Sequence, residues 1–229
     1  MISAIVLAAG SSARMRGVNK QLACIDGIPV FVLSALCFER SARVGEIIIA
    51  APESDIGQMR DIALNYGVTK LKAVTAGGKS RAESVCRALA AVSPEAEYIA
   101  IHDGARPLIT VDEAERVFDD AQRYSAAIAA VRATDTVKKA QGGVISQTLP
   151  REELWYAQTP QVFRAELYRE CLEKLGGDIA ALTDDSSLAE ACGVSVHLTE
   201  ISCCNMKITR PDDLAAAEAI YRQRKRRQP

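Results

Sequence analysis

The most chemically suggestive segment of the chain follows an apolar run near the N-terminus. Ala4-Ile5-Val6-Leu7 predicts a buried parallel strand, because both of its faces would be apolar. Ala8-Ala9-Gly10-Ser11-Ser12 then supplies small side chains, backbone N–H groups and hydroxyls, which are the donors that a bound phosphate needs. The cations Arg14 and Lys20 follow with no intervening carboxylate. This combination predicts a site for a nucleoside triphosphate.

Two later segments would add to such a site. Gly77-Gly78-Lys79-Ser80-Arg81 follows a predicted strand, at the edge where open α/β sheets bind ligands. Ser84 lies one helical turn further on, so its hydroxyl would point back toward the same crevice. His102-Asp103-Gly104-Ala105-Arg106-Pro107 follows another buried strand. Because a lone carboxylate beside phosphates is the usual way to hold Mg²⁺, Asp103 is the candidate metal ligand.

Each of these segments also has a simpler interpretation. The loop after Leu7 would serve equally as an ordinary turn with surface cations, and Gly77-Gly78 as a glycine turn followed by a helix cap. Asp103 would serve as a strand-end carboxylate that caps a turn. The dinucleotide fingerprint is absent, since it needs glycine at positions 12 and 15, and no Gly-Lys-Ser/Thr follows the loop as in a Walker motif.

Several other segments are weak individually but are arranged in a suggestive order. They are Asp135-Thr136-Val137-Lys138, Arg151, Thr159-Pro160-Gln161 and Asn205-Met206-Lys207-Ile208-Thr209-Arg210-Pro211. Each either follows a predicted strand or lies on a predicted hairpin. Their threonines, arginines and lysines are common at surfaces, so only the order favours a shared site.

The composition excludes several classes of protein. The 229 residues suit one α/β domain spanning 1–229, and a formal net charge of −1 gives no field that favours nucleic acid or a membrane. No apolar run approaches the roughly 20 residues of a membrane span, and Met1-Ile2-Ser3 lacks the basic start of a signal peptide. Seven cysteines without a CxxC pair favour reduced thiols, as expected of a cytoplasmic protein. The basic run 222–227 is better explained by the end of a last helix than by RNA binding.

Apolar strands alternate with helical patterns along the chain, which predicts an α/β fold with a mostly parallel sheet covered on both faces. The predicted strands are 4–7, 46–51, 71–75, 98–102, 126–131, 154–159 and 194–198. The predicted helices are 29–42, 55–65, 80–92, 111–124, 164–175, 184–191 and a last one that opens at Arg210-Pro211. Such a sheet would bring the ends of its strands, with their polar segments, to one edge.

The alternation breaks between residues 132 and 153. Thr136-Val137-Lys138 and Val144-Ile145-Ser146 flank Gly142-Gly143, as the two strands of a β-hairpin flank their turn. Neither face of this hairpin carries enough apolar residues to lie in the core. It is therefore predicted to project from the domain as an arm.

Taken together and in order, these motifs closely resemble those of the 2-C-methyl-D-erythritol 4-phosphate cytidylyltransferases of the non-mevalonate isoprenoid pathway. The matching segments run from the first strand to the last helix: Leu7-Ala8-Ala9-Gly10 with Arg14-Met15 and Lys20-Gln21, Gly77-Gly78 with Arg81 and Ser84-Val85, 102–107, Asp135-Thr136-Val137-Lys138, Leu154-Trp155, Gln158-Thr159-Pro160-Gln161, Thr183-Asp184 and 205–211. As a combination they are highly specific.

The resemblance implies a Rossmann-like, three-layer nucleotidyltransferase fold whose β-arm embraces a second subunit. It implies that Ala8, Ala9, Gly78 with its neighbour Lys79, and Ser84 surround the cytosine of CTP, and that the loop from Gly10 to Arg14, with Ser11 and Ser12, holds the triphosphate. Asp103 would serve Mg²⁺ and the ribose. Arg106 and Thr159 would face the methylerythritol phosphate, and Asp135, Thr136 and Arg151 would reach in from the arm of the partner in a homodimer.

The expected chemistry is in-line nucleotidyl transfer. A sugar phosphate has a second pKa of about 6, so it is already mostly dianionic at neutral pH and needs no general base. Two polyanions must instead be brought together while charge builds on the leaving pyrophosphate, which cations and Mg²⁺ favour. Arg14, Lys20 and Lys207 are therefore the predicted catalytic residues.

Three alternatives remain open at this point. A pentitol-phosphate (ribitol 5-phosphate) cytidylyltransferase shares the fold and the CTP chemistry. Those relatives tend to have Gly-Gly in place of Ala9-Gly10 and Ser-Val in place of Gly104-Ala105, which favours methylerythritol phosphate here. A dehydrogenase is disfavoured by the missing glycines, and a nucleotide-sensing module by the retained charged residues.

Overall fold

The computed structural model describes residues 1–10, 19–176 and 182–227. Its strands are β1 (Ile2–Leu7), β2 (Cys24–Ile25), β3 (Ile28–Pro29), β4 (Val44–Ala51), β5 (Leu71–Ala76), β6 (Tyr98–Asp103), β7 (Ala126–Arg132), β8 (Lys138–Gln141), β9 (Val144–Thr148), β10 (Trp155–Arg164) and β11 (His197–Glu200). Its α-helices are α1 (Val30–Arg40), α2 (Ile56–Asn65), α3 (Arg81–Leu89), α4 (Val111–Tyr124), α5 (Ala165–Leu175), α6 (Asp185–Ala191) and α7 (Pro211–Arg227).

A seven-stranded sheet in the order β11-β7-β10-β6-β1-β4-β5 forms the centre of the molecule. Parallel pairing joins β1 to β4 and β6, β4 to β5, and β7 to β11. The long strand β10 runs antiparallel to both of its neighbours, β6 and β7. The predicted mostly parallel α/β sheet is therefore confirmed.

Helices cover both faces of the sheet, as the alternating sequence pattern predicts. In β1, Ala4 and Val6 pack on the face that is covered by α1, α2 and α4, whereas Ile5 and Leu7 pack on the opposite face. That opposite face is covered by α3, α5 and α6. Because successive side chains of a strand point to opposite faces, a strand buried on both faces must be apolar throughout, as β1 is. Helix α7 packs on a smaller cluster with Ile25, Val30 and Leu33.

The predicted hairpin between residues 132 and 153 is present. Strands β8 and β9 pair antiparallel around Gly142 and Gly143, which both have positive φ angles, and every residue of the two strands is exposed. The β-arm of the sequence prediction therefore exists, and it contributes nothing to the core of its own chain.

Several predicted boundaries were wrong. The strand predicted at 154–159 continues through Pro160 to Arg164, with a register shift between Ala157 and Gln161 that absorbs the missing N–H donor of the proline. The strand predicted at 194–198 is β11 and lies two to three residues later, and α3 ends at Leu89 rather than at 92. The small hairpin of β2 and β3 was not predicted, although its Asp26-Gly27 turn, with φ of 51° and 80°, is a recognised hairpin signal.

Candidate active site

A crevice opens where β1, β5 and β6 end at the same edge of the sheet. It contains a cavity of about 340 Å³. The predicted site residues in its wall are Ala9, Gly10, Lys20, Gly78, Lys79, Ser84, Asp103 and Lys207. The carboxyl ends of parallel strands are the usual ligand site of open α/β sheets, and this volume lies in the range of small-molecule pockets.

Small residues let the ends of β1 and β5 approach each other closely. A Cβ atom added to Gly77 would lie 2.1 Å from the Cβ of Ala9 and 3.3 Å from the Oγ of Ser84. The Ser84 hydroxyl accepts a hydrogen bond from the N–H of Gly78 and donates one to the carbonyl of Ser80, both at 2.9 Å. Ser80 in turn caps α3, as predicted, by accepting from the N–H of Glu83 at 3.1 Å. The loop and the first turn of α3 are thus fixed against β1.

Asp103 is the electrostatic centre of the crevice. Its carboxylate lies 2.8 Å from Lys207 Nζ and 3.5 Å from the Nε atoms of Arg81 and Arg106. Burial alone would raise the pKa of Asp103, but Lys207 and Arg81 outweigh burial and hold the pKa far below its ordinary value. The carboxylate is therefore ionised at any physiological pH.

Arg81 connects this centre to a second buried carboxylate. Its Nη1 lies 2.7 Å from Asp185, which also accepts a hydrogen bond from the Tyr168 hydroxyl at 2.7 Å. Burial would lower the pKa of Arg81, but Asp185 and Asp103 raise it further than burial lowers it. Three cations thus face two carboxylates, and the net positive charge favours an anionic ligand.

A smaller cavity of about 150 Å³ lies on the other side of Asp103. It shares Arg81, Asp103 and Lys207 with the first cavity, and it is also lined by Arg106 and Thr159. Two buried guanidinium nitrogens of these arginines, Arg81 Nη2 and Arg106 Nε, make no hydrogen bond to any described residue, although Arg106 Nε lies 3.5 Å from the Asp103 carboxylate. The three cations that line this cavity, Arg81, Arg106 and Lys207, favour an anion such as a phosphate.

Asn205 holds the segment that carries Lys207 against β10. Its Nδ2 donates to the Gln158 side chain and to the Thr159 carbonyl, both at 2.9 Å, while its backbone carbonyl accepts from Arg106 Nη1 at 2.8 Å. Asn205 is completely buried. This one residue therefore fixes the loop of Lys207 relative to Arg106 and Thr159.

His102 lies behind Asp103 rather than in the crevice. It is fully buried, its Nε2 lies 3.1 Å from the carbonyl of Arg106, and its Nδ1 lies 3.0 Å from the Thr159 hydroxyl. Burial lowers the pKa of His102 to about 4, so the ring is neutral at physiological pH. A general base in contact with substrate would need access to the crevice, which His102 lacks.

Among the described residues, the wall of the larger cavity contains no pair of a nucleophile and a base. Ser80 and Ser84 are its hydroxyl residues, and each is engaged with the backbone of the 78–83 segment. Covalent catalysis needs an activating base within hydrogen-bond distance of the nucleophile. The arrangement favours direct displacement between two bound substrates.

The single carboxylate of Asp103 fits a divalent cation only if a bound substrate supplies further oxygen ligands. Within the described ranges, no group of three or more His, Cys, Asp or Glu side chains is placed to hold a metal ion. Asp103 is thus a single carboxylate between two cavities, and Mg²⁺ commonly binds one or two carboxylates together with substrate phosphates and water. Asp103 therefore fits a Mg²⁺ ion bound to a nucleotide.

The structure does not bring all predicted site residues together. Ala8 is buried beside the crevice, where its N–H donates to the Ala50 carbonyl, rather than in the cavity wall. Asp135, Thr136 and Arg151 are exposed and line neither cavity of the described chain, and Arg151 Nη1 donates to the Thr134 carbonyl at 2.9 Å. The predicted residues Ser11, Ser12 and Arg14 lie outside the described residues.

Sequence reasoning assigned no site role to Arg81, Asn205 or Asp185. Arg81 and Asn205 belong to motifs that the sequence analysis identified. Neither their spacing nor their residue type distinguishes a residue that contacts the ligand from one that positions its neighbours. Asp185 follows Asp184, which caps α6 by accepting from the N–H of Ser187. Two adjacent acidic residues at a helix start suggest only a helix cap, and the ion pair between Asp185 and Arg81 becomes evident only in the three-dimensional structure.

Comparisons with known proteins agree over nearly the whole chain. The family model described as 2-C-methyl-D-erythritol 4-phosphate cytidylyltransferase matches residues 2–223. Proteins of that name from Syntrophus aciditrophicus and Halalkalibacterium halodurans are 43% and 39% identical to the chain. Those alignments cover 97% and 98% of this chain, and 96% and 99% of the relatives. A crystal structure of 4-diphosphocytidyl-2C-methyl-D-erythritol synthase from Anaerococcus prevotii matches with a TM-score of 0.85 and 28% identity, over 96% of this chain and 98% of that one.

Proposed function

The chain belongs to the 2-C-methyl-D-erythritol 4-phosphate cytidylyltransferase family, and we propose that its two substrates meet at Asp103. The enzyme joins CTP and 2-C-methyl-D-erythritol 4-phosphate to give 4-diphosphocytidyl-2-C-methyl-D-erythritol and pyrophosphate. The observation that carries the proposal is that Asp103, Arg81 and Lys207 line both cavities. A bond that joins two substrates must form where their sites touch.

The larger cavity would take CTP. Ala9, Gly78, Lys79 and Ser84 would surround the cytosine, with Ala8 buried beside them, and the close approach of Gly77 to Ala9 leaves no room for larger side chains. The loop from Gly10 through Ser11 and Ser12 to Arg14 would bind the triphosphate together with Lys20. Asp103 would face the ribose and hold Mg²⁺, which when bound neutralises part of the charge on the phosphates.

The smaller cavity would take the methylerythritol phosphate. Arg81, Arg106 and Lys207 supply cations at its wall. An oxygen of the sugar phosphate then attacks the α-phosphorus of CTP. As that bond forms, the bond from the α-phosphorus to the bridging oxygen breaks, and pyrophosphate leaves with the electron pair. Arg14, Lys20 and Lys207 would stabilise the charge that develops in this step.

Pyrophosphate release tests the assignment. With CTP and a divalent metal, we expect release when methylerythritol phosphate is added and far less with ribitol 5-phosphate. Equal turnover with ribitol 5-phosphate would move the chain to the pentitol-phosphate specificity. Binding of CTP with no release under any condition would instead indicate a nucleotide sensor.

The arm would complete the smaller cavity in a homodimer. Asp135, Thr136 and Arg151 are exposed, and Val144 and Ile145 on the arm are 72% and 60% exposed. Exposed apolar residues on a projecting hairpin favour an interface with another chain. We therefore infer that Asp135, Thr136 and Arg151 of one subunit reach the polyol phosphate that is bound by the other.

Mixed dimers test this shared site. An inactive Lys20→Ala chain mixed with an inactive Arg151→Ala chain should regain activity, because one of the two sites in each mixed dimer has all of its residues. The matched control mixes Lys20→Ala with Lys207→Ala, which leaves every site defective. No recovery after verified subunit exchange would mean that Arg151 serves its own chain.

Two further observations concern the location of the protein in the cell. None of the helices in the described ranges combines the length and apolar character that a membrane span needs. All seven cysteines are free thiols. Free thiols and the use of CTP support a cytoplasmic location, and we infer that each subunit of the dimer is a single domain spanning 1–229.

A further inference from the structure

A further cavity lies outside the crevice, between α1, α7 and the residues 107–112 that connect β6 to α4. We call it the α1–α7 groove. Its volume is about 550 Å³, and its described wall shares no residue with either cavity of the active site. A concave cavity of this size is large enough to hold a small molecule.

The bottom of the groove is apolar. Leu33, Leu108 and Ile109 line it and are each at most 6% exposed, and Leu36 beside them is half-buried. Leu33 and Leu108 also belong to the apolar cluster on which α7 packs, so this surface is held in place from behind. Each methylene group that a ligand buries on such a surface raises its affinity about fourfold.

The rim of the groove is positively charged. Arg40 lies in the last turn of α1, and Arg224 and Lys225 lie in the last turn of α7. Lys225 pairs with Asp26 at 2.9 Å, whereas Arg40 and Arg224 form no ion pair with any residue that the structure describes. Asp112 is the single carboxylate among the described residues of the wall, and it lies in the first turn of α4, where the helix dipole offsets its charge. The groove therefore favours an anion at its rim.

Arg224 is held in place while most of its hydrogen-bond donors stay available. Its Nη1 donates to the Leu108 carbonyl at 2.5 Å, which ties the guanidinium to the bottom of the groove. A guanidinium carries five N–H donors in a fixed fork, and this bond uses one of them. The fork geometry suits the oxygens of a phosphate, so Arg224 is placed to bind one without losing its anchor.

We propose that the α1–α7 groove binds a small amphiphilic molecule, whose phosphate group lies between Arg40 and Arg224 and whose apolar body covers Leu33 and Leu108. A phosphate monoester carries nearly two negative charges at neutral pH, which matches two arginines without carboxylate partners. A membrane surface is a poorer match, because insertion needs exposed apolar side chains and these lie at the bottom of a concave groove. The proposal also gives a role to Arg224 within the basic run 222–227, which the active site does not use.

Methyl NMR of the intact protein tests the proposal with octyl phosphate as the probe, below the concentration at which it forms micelles. The Ile109 methyl signal, assigned with an Ile109→Val variant, reports binding at the groove separately from any binding in the crevice. Octyl phosphate should bind at least about 50-fold more tightly than methyl phosphate, which is what roughly three buried methylene groups supply. It should also bind at least about tenfold more tightly than 1-octanol, which lacks the charge. An Ile109 signal that does not respond, or that responds equally to octyl phosphate and to either comparison compound, would overturn the proposal.

Charge reversal at the rim tests the position of the phosphate. Arg40→Glu replaces attraction by repulsion and should weaken octyl phosphate about tenfold while leaving 1-octanol unchanged. Arg60→Glu is the matched control, since Arg60 is also an exposed helical arginine without an ion pair among the described residues but lies on α2, outside the groove. An unchanged affinity in Arg40→Glu, or an equal loss in Arg60→Glu, would contradict the proposed contact.

Pyrophosphate release shows whether Arg40→Glu is folded. Arg40 lines neither cavity of the active site, so the folded variant should turn over at the wild-type rate. If the variant is inactive, Arg40→Gln takes its place, because glutamine favours a helix as well as arginine does and removes only the charge. Arg40→Gln should still bind octyl phosphate more weakly than wild type, and wild-type affinity would overturn the proposal.

Discussion

Replacing Gly77 with alanine tests whether the close contact of β5 with β1 shapes the nucleotide site. The new Cβ would lie 2.1 Å from the Cβ of Ala9, whereas ordinary contacts between such atoms begin at 3.4 Å. The two segments must therefore separate by more than about 1 Å, because each atom belongs to a short side chain that cannot rotate away.

That separation sets the expected magnitude. Overpacking of this kind costs about 1–3 kcal/mol of unfolding free energy. A displacement of about 1 Å at a site that positions reactants can lower the rate ~100-fold. Because Ala9 and Gly78 line the proposed cytosine site, part of this loss should appear as a higher KM for CTP.

The assay combines urea unfolding with steady-state pyrophosphate release at varied CTP. Gly57→Ala is the matched control, since a Cβ at this helical position meets nothing within 4 Å. It should raise the unfolding free energy by about 0.5–1 kcal/mol and leave the kinetics unchanged. Wild-type stability and an unchanged KM for CTP in Gly77→Ala would refute the reasoning.

Three further predictions concern charged groups. Lys207→Ala should lower kcat more than it raises KM for CTP, because the charge that Lys207 stabilises grows in the transition state; the activation barrier should rise by on the order of 3 kcal/mol. An unchanged kcat with a raised KM would contradict that role. Asp103→Asn leaves Arg81, Arg106 and Lys207 facing one carboxylate, so urea unfolding should show a loss of about 3–5 kcal/mol, and a loss below ~1 kcal/mol would mean that the cluster contributes little. Burial would raise the pKa of Glu46, but hydrogen bonds from Ser3 and Ser93 outweigh burial and lower it from 4.5 to about 2. Because this pKa is depressed in the folded state, Glu46 contributes up to about 3 kcal/mol of unfolding free energy above pH 4.5, and this contribution is lost as the pH falls toward 2. The difference in unfolding free energy between wild type and Glu46→Gln should therefore shrink from pH 4.5 to 2, and a constant difference would contradict the account.

Local patterns were sufficient to predict most elements of the fold. A doubly buried strand such as β1 is apolar at every position, and helix starts at Ser80 and Thr110 carry capping side chains. The arm was predicted because its strands carry too few apolar residues to lie in the core. The failures lie where tertiary pairing overrides a local signal. Pro160 suggested the end of a strand, yet β10 continues beyond it, because residues 161–163 pair with both β6 and β7.

The sequence predicted the residues that line the candidate site better than the buried residues that hold them in place. Asp103 and Lys207 are far apart in sequence, but Asp103 ends β6 and Lys207 belongs to the 205–211 motif, and the sheet brings both to the same edge. Arg81, Asn205 and His102 act through buried hydrogen bonds and ion pairs, whose partners depend on how distant segments pack. Residue type and spacing carry no information about such pairings, so they became visible only in three dimensions.

The stereochemistry of transfer tests the central claim most directly, namely that two bound substrates react in one in-line step at Asp103. CTP that carries a single sulfur of defined configuration on its α-phosphorus is turned over with methylerythritol phosphate, and the configuration of the product is determined. A single displacement inverts the configuration at phosphorus, and inversion is the predicted result, because the described wall of the larger cavity, where CTP would bind, contains no nucleophile with an activating base. Retention would require two displacements through a cytidylyl-enzyme intermediate, and it would contradict the account.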